Sequence, residues 1–247
     1  MNDQVAANVI SFSSNSVPVL AVLRKNLFNN QPTTIYFEGS LPENFDEAVI
    51  KNVYGYQFET QVVDSIAAVP ASDATNIYYT EQADVCAVEL NDHIDFCVSY
   101  HSELGSILIA NGAKNASYVS DIQHVRRRET IAMTPSNCEQ ALIALVNQTT
   151  TKTASIDQAD KSSVMKSIEQ ITGSSAKAVV GSSGLSIQYA IGMGLVHAAM
   201  EQHPGKPIKF VVPPNCYGGT NDQARRVAAC IPNVEVVDMR VDGGQNM

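Results

Sequence analysis

Short apolar runs, each closed by a glycine or a polar cluster, alternate with longer stretches of helical spacing through the last part of the chain. From Ala176 to Asp238 the pattern reads strand at Ala178-Val179-Val180, glycine turn, helix, strand at Ile208 to Val212, aromatic loop, helix, and strand at Val234 to Val237. That rhythm predicts a parallel α/β sheet. Its strands are short and apolar, as expected when helices cover both faces of a sheet. Small residues follow the first two strands, at the end where open parallel sheets bind ligands.

The preceding sequence predicts mixed α and β structure with no internal repeat. Val17 to Leu27 alternates between apolar and mixed positions, Pro32 to Phe37 reads as a strand, and Leu41 to Glu47 opens a helix running to Val53. Tyr54, Tyr56 and Phe58 alternate as in a strand, and Ile77-Tyr78-Tyr79, Val85 to Val88 and Ile94 to Tyr100 continue that pattern. Glu103 to Ala110 fits a helix or a buried strand, because a short apolar run does not decide between them. A helix is expected from Thr134-Pro135 through Val146, and another over Ser163 to Thr172, stopped by Gly173-Ser174-Ser175. Between them the Thr- and Ser-rich stretch Gln148 to Ser155 is the best candidate boundary, giving regions 1–148 and 149–247.

Composition narrows the function classes. The chain has 247 residues, 45% hydrophobic and 17% charged, enough to bury a substantial core in one or two domains. A net charge of −9 repels nucleic acid and anionic membrane. No apolar run approaches a membrane span and the N-terminus lacks a secretory pattern, so the expectation is a cytoplasmic protein. Five cysteines without C-x-x-C spacing read as reduced thiols, of which Cys216 lies nearest the chemistry considered below. The histidines form no metal signature, so no metal is expected, and His197 reads as a packed helix residue. Gly181 to Gly184 does not make the G-x-S-x-G of a serine hydrolase.

The chemistry lies in two loops. Gly181-Ser182-Ser183-Gly184-Leu185 turns sharply into a helix whose leading amides point outward, and unpaired N–H donors aided by the helix dipole hold phosphate. Asn215 to Thr220 sets Tyr217 at the mouth of the sheet with two glycines behind it, which offers a flat aromatic face to a planar ring. A phosphate cradle followed by a stacking platform suits pyridoxal 5'-phosphate. The only dense basic cluster, Arg126-Arg127-Arg128, has guanidinium groups suited to phosphate, with a solvated surface cluster as the alternative.

The segment SSGL, then CYGGTNDQARRV, then a strand ending in Val237-Asp238, resembles the pyridoxal-phosphate enzymes of cysteine and methionine metabolism, the cystathionine synthase and lyase group. The resemblance covers roughly Ile168 to Asp238, with Leu185 where methionine is usual. It implies an incomplete large domain of the pyridoxal-phosphate-dependent transferase fold (fold type I), preceded by a mixed α+β region. By the same resemblance Gly184 and Leu185 give amides to the cofactor phosphate, with Ser183 beside them, and Tyr217 stacks on the pyridine ring. It further implies β- or γ-elimination or γ-replacement on a sulfur-containing amino acid, in a homo-oligomer. The family's Schiff-base lysine and its aspartate partner for the pyridinium nitrogen lie well beyond YGGT and match no position here. The chain is therefore expected to be the N-terminal part of such a lyase or transferase, inactive alone. Two other readings are a dinucleotide-binding α/β domain, weakened by the missing G-x-G-x-x-G, and a non-catalytic remnant or oligomerisation module.

Overall fold

A computed structural model describes residues 6–81, 90–101, 104–147 and 158–240. The protein is mixed α/β, built on a six-stranded, mostly parallel sheet and a second sheet of two parallel strands. The large sheet comprises β1 (Val9–Phe12), β2 (Thr33–Phe37), β3 (Glu59–Val62), β4 (Thr75–Glu81), β5 (Phe96–His101) and β6 (Gly105–Ala110), in the order β1-β6-β5-β4-β2-β3. Strand β6 runs antiparallel to both of its neighbours, and every other pairing in this sheet is parallel. The small sheet pairs β7 (Ile208–Val212) with β8 (Val234–Asp238), Ile208 opposite Val234.

Strand periodicity decides which side chains meet. Along β4 and β5, Ile77, Tyr79, Phe96, Val98 and Tyr100 face one layer while Tyr78 and Cys97 face the other. The first layer packs under helices α1 (Val17–Asn29) and α3 (Val119–Glu129), through Val19, Val22 and Leu23 from α1 and Ile122 and Val125 from α3. Burying each such aliphatic side chain contributes about 1.5–3 kcal/mol. On the opposite face Tyr36, Val63, Val69 and Ile94 form a smaller core. Here Cys97 is sealed, and burial pushes its thiol up to about 12.

A third core joins the small sheet to the rest. Met193 and Val196 come from α6 (Gly184–Gln202), and Val227 from α7 (Gly218–Cys230). With Ile231 and Val234 they close on Val53, the residue that ends α2 (Glu47–Asn52). Helices α4 (Pro135–Asn147) and α5 (Gln158–Thr172) complete the set, and Leu142, Ile143, Val164 and Ile171 on them are exposed.

Several expectations change. Ala178-Val179-Val180 is not a strand: among the described residues the segment pairs with nothing, and Val179 is 77% exposed. Among the described residues its apolar sequence meets no neighbouring strand, and the small sheet pairs β7 with β8. Val17 to Leu27 is helix, admitting Pro18 because the first turn needs no amide there. Helix α2 starts only at Glu47, where the Asp46 carboxylate accepts from the Val49 amide, so Leu41 to Phe45 stays irregular. The alternation at Tyr54, Tyr56 and Phe58 reflects loop residues, half-buried at Tyr54 and buried at Tyr56 and Phe58, and the strand begins at Glu59. Residues 105–110 are strand, not helix. Val85 to Val88, Glu103 and Gln148 to Ser155 lie outside the described residues.

The two halves also repeat an order of elements. A Ser-Ser turn leads into α1, then β2, α2 and β3 parallel to β2; a Ser-Ser turn leads into α6, then β7, α7 and β8 parallel to β7. Each run closes on Val-Val-Asp, at Val62-Val63-Asp64 and Val236-Val237-Asp238. The likeness runs between the halves and lies in order and pairing, so it leaves untouched the expectation of no repeat within the first half.

Candidate functional site

Helix α6 begins on a closed serine box. Ser183, extended at the N-cap, accepts the Ser186 amide at its Oγ over 3.1 Å, while the Ser183 amide donates to Ser186 Oγ over 2.8 Å. These bonds use the amides of Ser183 and Ser186. Among the described residues the amides of Gly184 and Leu185 have no partner, and they lead the helix at the positive end of its dipole. Gly181 sets the approach, since a Cβ there would stand 2.8 Å from Ile187 Cβ.

Tyr217 is the N-cap of α7, and its ring lies over Gly219. A Cβ on Gly219 would come within 2.6 Å of Tyr217 Cε1 and 3.1 Å of Leu185 Cδ1. The glycine thus brings the phenol ring and the α6 turn together. Thr220 fixes the register between the helices by donating to Gln188 Oε1 over 2.9 Å. The ring itself is 70% exposed, free to take a planar group.

The opposite wall is the C-terminal turn of α3 and the strand-like segment after it. Together Arg126, Arg127, Arg128, Thr130, Ile131, Ala132, Ser183, Gly184, Leu185, Gln188, Tyr217 and Thr220 line one open cleft of about 750 Å³. The structure therefore brings all four sequence-predicted residues, Ser183, Gly184, Leu185 and Tyr217, to one cavity, and sets the arginine cluster across from them. Two of these arginines are engaged. Arg128 Nε pairs with Asp222 at 2.7 Å, and Arg126 donates to the Ser11 carbonyl over 3.3 Å. Arg127 is exposed and has no ion pair among the described residues. Two helix N-termini and the guanidinium groups of Arg126 and Arg127 bring positive charge to the cleft, while Arg128 is matched by Asp222.

Sequence reasoning assigned no role to the residues that hold the walls together. Gln223, 4% exposed, donates from Nε2 to the carbonyls of both Arg128 and Leu185, over 2.8 and 2.9 Å. Asp222 takes Arg128 and also His124 Nε2 at 3.0 Å. Burial alone would raise the Asp222 carboxyl, but hydrogen bonds from Arg128 and His124 outweigh it and hold the group below its ordinary value. Of the paired arginines in the quoted motif, Arg226 reaches buried Glu129 at 3.3 Å and Arg225 reaches Asp238 at 2.6 Å. The usable signal was spacing: buried Gly219, Gln223 and Val227 recur every fourth residue and mark the face of α7 turned to the rest of the protein.

Behind the cleft, Glu129, Arg226, Arg24, Tyr54, Tyr56, Tyr189 and Cys230 surround a void of about 10 Å³. Burial, with a smaller contribution from the Glu129 charge, raises all three phenols and keeps them as donors. Cys216 is half-buried and not part of the cleft lining. His197, read from sequence as a packed or hydrogen-bonded core residue, is half-buried with its side chain 42% exposed, 3.6 Å from Glu201. No family model matches the chain, and no curated protein matches it.

Proposed function

We propose that the cleft binds pyridoxal 5'-phosphate without a covalent bond. One observation carries this reading: an unpaired amide pair, an exposed tyrosine ring and an arginine wall converge on a single cavity. The Gly184 and Leu185 amides take the phosphate oxygens, and Tyr217 takes the ring. Ser183 assists, because its oxygen already accepts the Ser186 amide while its hydroxyl hydrogen remains free to donate. When bound, the cofactor supplies an electron sink for carbanion chemistry. No lysine lines the cleft among the described residues, and the groups named here would bind and orient the cofactor. The wider reading is a fold type I large domain of a cytoplasmic, homo-oligomeric enzyme of sulfur amino-acid metabolism.

Calorimetric titration with three ligands tests the site. Pyridoxal 5'-phosphate and pyridoxine 5'-phosphate, which lacks the aldehyde, are expected to bind within about threefold of each other, since no imine contributes. Unphosphorylated pyridoxine is expected to bind at least tenfold more weakly, a difference of about 1.4 kcal/mol. Binding restricted to the aldehyde, or indifferent to the phosphate, overturns the reading.

A further inference from the structure

The cleft is made from parts far apart in the chain, and its two walls belong to helices α3 and α6, which also pack on each other directly. Its arginine wall is the last turn of α3, and its amide wall the first turn of α6. Each presents a main-chain carbonyl at the seam, Arg128 O and Leu185 O, and both carbonyls accept from the same Gln223 side-chain nitrogen. The amide has one hydrogen for each acceptor, so a single planar group ties the two turns together at the cleft, alongside the direct packing of α3 on α6. Gln223 is buried, and water has little access to replace it.

We infer that Gln223 is a positioning residue that sets the width of the anion cleft by joining the arginine wall to the amide wall. It is not among the residues that line the cleft. Its neighbours on α7 act alongside it without duplicating the link. Asp222 holds only the α3 side, through Arg128 and His124, and Thr220 holds only the α6 side, through Gln188. Gln223 alone among these bonds to both. The inference rests on the cleft being an anion site, as proposed above, for its effect on binding; its effect on the walls stands without a ligand.

Two measurements on the full chain test it. In ligand-free protein, Gln223→Met keeps the side-chain length and removes both donors. Amide hydrogen exchange is expected to rise together in the last turn of α3 and the first turn of α6; unchanged exchange in either turn overturns the inference, whatever the wild type binds. With pyridoxine 5'-phosphate as probe, Q223M and Arg127→Ala are each expected to weaken binding at least tenfold. The double variant should be no more than about threefold worse than the weaker single, because the residue acts through the wall that Arg127 belongs to. Effects that multiply, or a Q223M variant that binds like wild type, overturn the inference. A wild type that fails to bind the probe while Q223M loosens both turns sinks the pyridoxal-phosphate reading and supports the role of Gln223. Should Q223M not fold, Gln223→Asn keeps the amide but cannot span both carbonyls, and the same two measurements apply.

Discussion

At the scale of single residues, the cleft depends on an absent side chain. Gly219 sits under the Tyr217 ring and against Leu185, in space that a methyl group would occupy at 2.6 Å from the ring carbon. That distance is far inside van der Waals contact, so Gly219→Ala must displace something. The Tyr217 ring is the exposed and movable partner, whereas Leu185 belongs to the first turn of a long helix. The expected outcome is a swung ring with a modest cost to the fold, about 1–2 kcal/mol, and at least a fivefold loss of pyridoxine 5'-phosphate affinity. Thermal unfolding and titration on the same sample check both. Intact affinity would show that ring stacking contributes nothing.

At the scale of elements, helix α6 brings its own cap and leaves two amides uncommitted, which separates the stability of the turn from its binding role. Ser183→Ala and Ser186→Ala each open the capping box, at an expected cost of about 1 kcal/mol apiece. Only S183A also removes a hydroxyl donor from the cleft. Phosphate-ester affinity should therefore fall in S183A and stay within about twofold in S186A, and equal losses would place the serine box, not the amides, at the ligand. This turn was legible because Ser-Ser-Gly before an apolar helix carries its own local chemistry, as does the Tyr-Gly-Gly turn that starts α7. Other elements were not. The Ala178 to Val180 run has strand character, yet a strand needs a neighbour, and periodicity says nothing about whether one is supplied. The reverse error occurred at Tyr54 to Phe58, where burial imposed alternation on a loop. Gln223 was unreadable for a similar reason, since its two partners lie 95 and 38 residues away.

At the scale of the whole molecule, the seam between the first and second halves is polar at its centre. Glu129 ends α3, 3% exposed at its side chain, and meets Arg226 from α7 at 3.3 Å; Arg24 of α1 donates to the Arg226 carbonyl over 3.1 Å. Burial raises the Glu129 carboxyl above its ordinary value of 4.5, and the nearby charges of Arg226 and Arg24 pull it back only in part. The sign of the pH dependence follows. Between 4.5 and the higher native value the folded protein keeps a proton that the unfolded chain releases, so this group's contribution to stability falls as pH rises through that window and levels off above it. Glu129→Gln removes the titration while leaving a hydrogen-bonding group opposite Arg226. The difference in unfolding midpoint between wild type and E129Q, followed upward from pH 4.5, is therefore expected to move against the wild type. A difference that moves in favour of the wild type over the same rise would mean that Arg226 and Arg24 outweigh burial, and that the halves are joined by an ion pair stronger than the desolvation it costs.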